Sequence, residues 1–263
     1  MTAPAANADH PVIVVTGGGS GIGAACARLL AARGARVVIA DINGAAAEDV
    51  AGEIGGVAHQ VDVRDEARIV EFAARVERET GPVAGLITSA GIVQPPLPPE
   101  EIGLDLYDRI YAINLRGTFL CLRAFARPMK ARGRGAMVAV SSITAGRSVP
   151  LHAYAPTKAA VTNLTMNLAG EWGRSGIRVN CIEPGYTLTP ALQDQIDRGL
   201  RDPSLLEENS TLGRMVAPEE IAKAAAFLLS DEASAITGVA LPVDAGFYCA
   251  GSWAPYGGVR PAG

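Results

Sequence analysis

A glycine-rich stretch near the start of the chain constrains the fold more than any other feature of the sequence. Residues 16–23 read Thr-Gly-Gly-Gly-Ser-Gly-Ile-Gly, after the apolar run 12–15 and before the alanine- and leucine-rich residues 24–32. This order predicts a strand, a tight turn and a helix. Glycines let such a turn adopt positive φ and approach a ligand, and the helix N-terminus attracts phosphate. A purely structural turn is the alternative.

The composition fits one α/β domain and excludes several partners. The chain has 263 residues, of which 49% are hydrophobic, and a net charge of −4. This charge offers no basic surface to nucleic acid. The apolar runs are far shorter than the ~20 residues that span a bilayer, and the first residues lack a signal-peptide core. We therefore predict no nucleic-acid or membrane partner and a cytoplasmic location.

The cysteines indicate neither disulfides nor a metal site. The four of them, at positions 26, 121, 181 and 249, lie far apart without a CxxC pair, and the chain has only three histidines. We expect buried thiols in a reducing compartment and no bound metal.

Apolar runs and helical segments alternate along the whole chain. We predict seven strands at 12–15, 37–40, 57–63, 83–88, 136–140, 178–182 and 239–243. Helices are predicted at 24–32, 45–54, 65–79, 104–131, 154–174 and 218–229, with a looser segment at 186–216. Strands this apolar, separated by helices, indicate a doubly wound parallel sheet with helices on both faces. We expect a flexible N-terminus (1–10), one α/β domain (11–246) and a C-terminal tail (247–263).

Two aspartates follow the second and third predicted strands. Asp41 can accept the hydroxyl groups of an adenosine ribose, and its charge repels a 2′-phosphate. No arginine or lysine lies in the glycine turn or directly after Asp41, so the residues favour NAD over NADP. Asp62 and Val63 could hold the adenine by the same geometry. An ordinary turn aspartate at 41, and a helix cap or turn at 62, are the structural alternatives.

A tyrosine and a lysine mark a second functional cluster. Tyr154 and Lys158 are four residues apart and share one face of a predicted helix. Pro156 is tolerated only near a helix start, which places Tyr154 in the first turn. A nearby ammonium lowers a phenol pKa from about 10. The preceding strand ends in Ser141-Ser142, so the pattern predicts a proton-transfer site beside a hydride carrier. A Tyr-xxx-Lys pair alone is common in helices. The functional interpretation depends on the position of the pair, shortly after the strand that ends in Ser141-Ser142.

Taken together, these motifs resemble the short-chain dehydrogenase/reductase family of the compact single-domain type, over roughly residues 11–246. The matching positions are Thr16, Gly17, Gly21 and Gly23 of TGxxxGxG, then Asp41, Asp62-Val63, Asn114, Tyr154, Lys158, and Pro184-Gly185 with Thr187 and Thr189. Late matches are Gly213-Arg214, Pro218 to Ala222, and Val243-Asp244-Ala-Gly246. The resemblance implies a Rossmann-like sheet, an NAD cofactor and a homotetramer.

The resemblance also implies a set of site residues. The catalytic residues would be Asn114, Ser142, Tyr154 and Lys158. The residues in contact with NAD would be Gly17, Ser20, Gly21, Ile22, Gly23, Asp41, Ile42, Asp62, Val63, Ala90, Gly91, Tyr154, Lys158, Pro184, Gly185, Thr187 and Thr189. In alcohol oxidation Tyr154 would take the hydroxyl proton while Ser142 holds the oxygen. Lys158 would bind the nicotinamide ribose and, together with the cationic nicotinamide ring, lower the tyrosine pKa. Asn114 would hold a water that links Lys158 to solvent.

The chain departs from the family pattern at two places. Ser89 stands where the family commonly has asparagine, which shortens a brace near the cofactor and is expected to loosen its binding. The family's usual spacing to the tyrosine selects Ser141 as the catalytic serine, whereas the register of strand 135–142 selects Ser142. A slip of one residue turns a strand side chain to the other face, while a loop loses a residue cheaply. We therefore choose Ser142.

The predicted function is NAD-dependent interconversion of a secondary alcohol and its ketone. Polyols, sugars, hydroxy acids and ring alcohols are the candidate substrates. A 3-oxoacyl reductase-like enzyme, a catalytically silent NAD sensor, and a lyase or epimerase on the same fold are the alternatives. Segment 186–216 is expected to cover the substrate, with Leu151 and Tyr186 as candidate pocket residues and His152 more typical of an exposed loop. The tail is expected to pack against a neighbouring subunit, and folding on its own domain is the alternative.

Overall fold

Seven parallel strands form one sheet in the order β3-β2-β1-β4-β5-β6-β7. The strands are β1 (Val12–Thr16), β2 (Arg36–Asp41), β3 (Val57–Gln60), β4 (Val83–Thr88), β5 (Gly135–Val140), β6 (Ile177–Pro184) and β7 (Ala240–Val243). The computed structural model describes residues 10–250 and 253–260. Except for His10, the predicted flexible N-terminus lies outside the described residues. The sheet confirms the predicted Rossmann-like, doubly wound architecture, with the strand order reversing between β1 and β4.

Helices cover both faces of the sheet. They are α1 (Gly21–Ala32), α2 (Gly44–Ile54), α3 (Glu66–Glu79), α4 (Leu104–Tyr111), α5 (Thr118–Arg132), α6 (Tyr154–Trp172), α7 (Pro190–Asp197), α8 (Pro203–Glu208), α9 (Pro218–Leu229) and α10 (Phe247–Ala250). The side chains of α1, α2 and α9 pack in one core, and those of α3, α5 and α6 pack in the other. Every residue of β1 and of β5 is buried. Burial on both faces explains why these strands are continuous apolar runs.

Most predicted elements are shifted by only a few residues at their ends, and two of them differ in ways that bear on the site. Strand β3 ends at Gln60 rather than at 63, because Asp62 turns the chain by accepting a hydrogen bond from the Arg64 N–H at 2.9 Å. The predicted helix 104–131 is divided by a π-helical stretch, Ala112–Gly117, between α4 and α5. Such single π-turns occur frequently at functional sites, and this one carries Asn114.

The late sequence matches have structural roles. The Arg214 guanidinium binds both carboxylate oxygens of Glu220, at 2.7 and 2.8 Å, and Glu220 also accepts the Ala217 N–H at 2.9 Å. These bonds fix the chain where the covering segment enters α9. Asp244 accepts the N–H groups of Gly246 and Tyr248 at 2.9 and 2.8 Å, which starts α10 directly after β7.

No helix within 10–250 and 253–260 is both long and apolar enough to cross a membrane. The same residues contain no cluster of three or more side chains able to hold a metal ion.

Candidate active site

A cavity of about 540 Å³ lies at the carboxyl ends of the strands, across the point where the strand order reverses. Open parallel sheets bind ligands at this position. Of the predicted cofactor residues, those that line the cavity are Gly17, Ser20, Gly21, Ile22, Asp41, Ile42, Asp62, Val63, Ala90, Gly91, Tyr154, Lys158, Pro184, Gly185, Thr187 and Thr189. Ser142 lines it as well, whereas Gly23 and Asn114 do not. The fold therefore brings nearly all of the predicted site together.

The glycine turn is shaped by close main-chain contacts. Gly17 has φ +67°, and a Cβ atom there would lie 2.6 Å from the Ala90 nitrogen. A Cβ atom at Gly23 would lie 2.1 Å from the Gly17 carbonyl oxygen. Real Cβ atoms do not come this close, so both positions require glycine. Gly23 thus packs α1 against the turn, and Gly17 keeps the turn against the segment that follows β4.

Asp41 is held rigidly at the end of β2. Its Oδ2 accepts the Gly19 N–H, and its Oδ1 accepts the Asn43 N–H, both at 3.0 Å. The carboxylate therefore faces the glycine turn and lines the cavity.

Asp62 forms a turn at the neighbouring strand end. It accepts the Arg64 N–H and pairs with the Arg64 guanidinium at 2.6 Å. The hydrogen bonds from the Arg64 side chain hold the pKa of Asp62 below its usual value. The structural alternative for Asp62 is therefore present, although the residue also lines the cavity.

The two serines after β5 point to different neighbours. Ser142 Oγ accepts the Thr144 N–H at 3.2 Å, and its side chain is near enough to the Tyr154 phenol to lower the pKa of that phenol. Ser141 Oγ instead donates to the Lys158 carbonyl oxygen at 2.9 Å and lies 2.8 Å from Thr162 Oγ1. Ser142 therefore faces Tyr154, whereas Ser141 packs α6 on β5.

Lys158 is buried beneath Tyr154. Its side chain donates from Nζ to the Val140 carbonyl oxygen at 2.8 Å, and Nζ lies 5.4 Å from the centre of the Tyr154 ring. Burial lowers the pKa of Lys158 to about 8. Burial also raises the pKa of Tyr154, and the interaction with the Ser142 side chain has the smaller, opposite effect of lowering it. Burial is the larger effect, so the pKa of Tyr154 in the protein alone lies above its usual value. The lowering expected from Lys158 together with the cationic nicotinamide ring stays a prediction.

Asn114 braces the loop that follows β4. Its Oδ1 accepts the Ile92 N–H and its Nδ2 donates to the Ile92 carbonyl oxygen, both at 2.9 Å. Nδ2 also lies 3.4 Å from Thr157 Oγ1 on α6. The side chain is fully buried. Its expected role in holding a water stays a prediction.

Gln94 is a site residue that the sequence analysis missed. Its Oε1 accepts the N–H groups of Ala153 and Tyr154 at 2.5 and 3.0 Å. In the sequence it opens a proline-rich loop and carries no motif, so only the fold shows this contact.

The outer part of the cavity contains further residues that no motif indicates. It is walled by Val93, Ile143, Val149, Pro150, Leu151, Tyr186, Leu192, Gln195 and Arg201. Leu151 and Tyr186 line it as expected, while His152 is exposed outside it. Helix α7, from the covering segment, supplies Leu192 and Gln195.

Comparisons with known proteins identify the family. The sequence model of a family described as enoyl-(acyl carrier protein) reductase matches residues 17–248. The chain is 41% identical to cis-4-hydroxycyclohexanecarboxylate dehydrogenase of Sinomonas cyclohexanicum, over 90% of this chain and 96% of the relative. It is 40% identical to D-threitol dehydrogenase of Mycolicibacterium smegmatis, over 91% and 93%.

Solved structures agree with these relatives. A Brucella melitensis 16M structure described as ribose-5-phosphate isomerase is 47% identical, with a TM-score of 0.94 and coverage of 96% of this chain and 98% of that one. A short-chain dehydrogenase/reductase family protein is 36% identical, with a TM-score of 0.83 and coverage of 91% and 97%. A 3-ketoacyl-(acyl-carrier-protein) reductase from Brucella melitensis, complexed with NADH, is 36% identical, with a TM-score of 0.85 and coverage of 90% and 98%.

The sequence motifs, the sheet and these relatives all agree. The chain belongs to the short-chain dehydrogenase/reductase family and is an oxidoreductase that acts on CH–OH groups.

Proposed function

We propose that this enzyme interconverts a secondary alcohol and its ketone with NAD as the hydride carrier. The observation that carries the proposal is the grouping of Ser142, Tyr154 and the buried Lys158 on the wall of one cavity, with Lys158 Nζ 5.4 Å from the centre of the Tyr154 ring. This group lies in the same crevice as Asp41 and the glycine turn. A proton-transfer group beside a dinucleotide crevice is what alcohol oxidation by hydride transfer needs.

The residues divide the chemistry among them. The bound nicotinamide would supply the hydride acceptor. In oxidation Tyr154 takes the proton from the substrate hydroxyl, and Ser142 holds the substrate oxygen by a hydrogen bond. Lys158 holds the nicotinamide ribose and favours the phenolate when charged. Ketone reduction runs the same proton transfer in reverse.

The crevice fits a dinucleotide whose ribose is unphosphorylated. The glycine turn and the start of α1 line the cavity and suit a pyrophosphate. The fixed Asp41 carboxylate suits ribose hydroxyls and opposes a 2′-phosphate. A 36% identical neighbour is a complex with NADH. These points support NAD over NADP. Because the neighbour bound to NADH is itself a 3-ketoacyl-(acyl-carrier-protein) reductase, the choice of cofactor does not decide between an alcohol dehydrogenase and the 3-oxoacyl reductase-like alternative.

The substrate half of the cavity favours a ring alcohol that carries an acidic group. Its walls include Val149, Leu151 and Leu192, which suit a hydrocarbon ring. Arg201 is partly buried in the same cavity, and in the described part of the chain its one side-chain hydrogen bond goes to Gln195, at 3.3 Å. Its other N–H donors match a carboxylate. A named relative acts on a cyclohexane that bears both a hydroxyl and a carboxylate.

The test is NADH formation from NAD with three matched sets of alcohols. The sets are hydroxycyclohexanecarboxylates, neutral cyclohexanols and acyclic polyols. We expect turnover with the first set, and we expect Arg201→Gln to raise KM for the carboxylates only. Turnover limited to polyols would contradict the ring-alcohol assignment. Tight NADH binding without turnover on any set would instead favour the NAD-sensor alternative, and isomerisation of a sugar phosphate without NADH formation would favour the isomerase described for one structural neighbour.

We also retain the homotetramer with the tail at a subunit contact as a proposal. Helix α10 packs on its own domain, where the Tyr248 hydroxyl accepts the Gly146 N–H at 3.2 Å. Beyond it, Trp253 and Tyr256 are 49% and 88% exposed, which leaves apolar surface for another subunit. Light scattering on a chain that ends at residue 251 tests this, and an unchanged tetramer with unchanged kinetics would contradict it. The cytoplasmic location stays a prediction.

A further inference from the structure

The helix that carries the proposed catalytic tyrosine lacks a cap of its own. Ala153 is the residue before the first turn of α6, and it has no side chain that can accept hydrogen bonds. The first N–H groups of any helix lack partners within the helix. Ala153 is fully buried, so water does not replace the missing acceptor.

Gln94 supplies this acceptor from a distant part of the chain. Its Oε1 binds the N–H groups of both Ala153 and Tyr154, and the Gln94 side chain is only 3% exposed. One of the two bonds is therefore made to the main chain of the tyrosine itself. Tyr154 is the first residue of α6, so no preceding helical turn fixes its position.

The segment that carries Gln94 is itself anchored at the cofactor crevice. Ile92 lies two residues before Gln94, and the Asn114 side chain binds both its N–H and its carbonyl oxygen at 2.9 Å. Ala90 and Gly91, just before, line the dinucleotide part of the cavity. Gln94 thus links a fixed segment of the cofactor crevice to the start of the tyrosine helix.

Packing alone does not explain a glutamine at this position. Its Nε2 is buried and has no hydrogen-bond partner among the described residues. An unsatisfied buried amide is unfavourable, and methionine would fill a similar volume without it. The useful atom of the side chain is therefore Oε1.

We propose that Gln94 is a positioning residue, which holds the main chain of Tyr154 so that the phenol stays against Ser142. This rests on the proposed role of Tyr154 as the acid/base. The neutral amide accepts both N–H groups without placing a negative charge beside the phenol. A carboxylate in its place would accept the same bonds and disfavour phenolate.

Two variants of similar side-chain size separate these effects. Gln94→Met removes the acceptor, and we expect kcat for alcohol oxidation to fall by about tenfold or more, because misplaced reacting groups lose rate steeply. The affinity for NADH, measured by fluorescence titration, should stay within about twofold, since Oε1 does not face the dinucleotide. Gln94→Glu keeps the acceptor, and we expect kcat near the wild-type value at high pH. The acid limb of its kcat–pH profile should move to a pH about one unit higher, because a nearby carboxylate raises the phenol pKa.

The outcomes distinguish this proposal from a merely structural role. A Gln94→Met enzyme with wild-type kcat would overturn it. A Gln94→Glu enzyme with an unshifted pH profile would overturn it too, and this variant alone decides if Gln94→Met fails to fold. Wild-type turnover that is lost in Tyr154→Phe shows separately that the proposed function stands, whatever the Gln94 variants do.

Discussion

The Asp41 carboxylate accepts a hydrogen bond from the Gly19 main chain at 3.0 Å, which ties the end of β2 to the middle of the glycine turn. The Asn43 N–H binds the second oxygen. Two main-chain donors therefore fix a full negative charge where the cofactor ribose would lie. We expect the choice of cofactor to depend on this charge more than on the shape of the cavity.

Asp41→Asn removes the negative charge and keeps one side-chain oxygen that can accept a main-chain N–H. We expect the ratio of kcat/KM for NAD to kcat/KM for NADP to fall by about tenfold, since loss of repulsion between unit charges near a surface is worth 1–2 kcal/mol. Initial rates with both cofactors measure this ratio. Asp62→Asn is the matched control, because Arg64 already pairs with that carboxylate, and it should change the ratio little. Equal effects of the two substitutions would remove Asp41 as the selector.

The adjacent serines provide a second prediction. Ser142→Ala removes the hydroxyl that faces Tyr154, and we expect kcat to fall by about 10² or more, as for loss of one oxyanion-type donor. Ser141→Ala should keep most of the activity and lower the melting temperature, because it breaks the bond to Lys158. Activity assays and thermal melts on both variants check this. The reverse pattern would assign the catalytic role to Ser141.

The pH profile should follow the phenol. Burial raises the pKa of Tyr154, and the Ser142 side chain lowers it. Alcohol oxidation needs the phenolate, so kcat/KM should rise with pH, whereas ketone reduction needs the phenol and should fall. In the Ser142→Ala variant, the residual kcat/KM for oxidation should rise at a higher pH than in the wild type, because the group that lowers the phenol pKa has been removed. A limb that stays in place would show that a group other than Tyr154 titrates.

Lys158 should make stability depend on pH. Burial lowers its pKa from 10.5 to about 8. Between these values the unfolded chain binds more protons than the folded one, so this residue makes stability rise with pH over that window. Lys158→Met should remove the effect, which amounts in full to about 3 kcal/mol for a shift of about 2.5 pKa units at ~1.4 kcal/mol per unit. Urea unfolding at pH 7.5 and pH 10 on both proteins measures it. Parallel pH dependences would show that Lys158 is not desolvated as described.

The sequence predicts this fold well where short-range patterns determine the structure. Apolar runs marked all seven strands because parallel strands are buried on both faces. The predicted end of β3 is three residues too late, because Val61 and Val63 continue the apolar pattern. In the structure the side chain of Asp62 turns the chain there. The π-helical stretch around Asn114 has no signature in the sequence, because its helix reads as continuous.

The site was predictable where its residues belong to fixed-spacing motifs. Strand register selected Ser142, which lines the cavity and acts on the pKa of Tyr154, while its catalytic role stays a prediction. Gln94 and Arg201 lie in segments that carry no motif, and they reach the site only through the folded chain. Such contacts between distant parts of the chain depend on tertiary packing, which no local pattern reports. The burial that raises the pKa of Tyr154 in the protein alone is likewise not visible in the sequence.

The most direct test of the central claim is NADH formation by the wild-type enzyme and by Tyr154→Phe, with the best alcohol of the substrate panel. Phenylalanine keeps the ring in place and removes only the hydroxyl that exchanges the proton. We predict that kcat falls by about 10³ or more, as expected when the acid/base group is lost, while NADH binding stays within about twofold. Turnover by Tyr154→Phe close to that of the wild type would contradict the assignment of Tyr154 as the acid/base, and with it the mechanism proposed for this site.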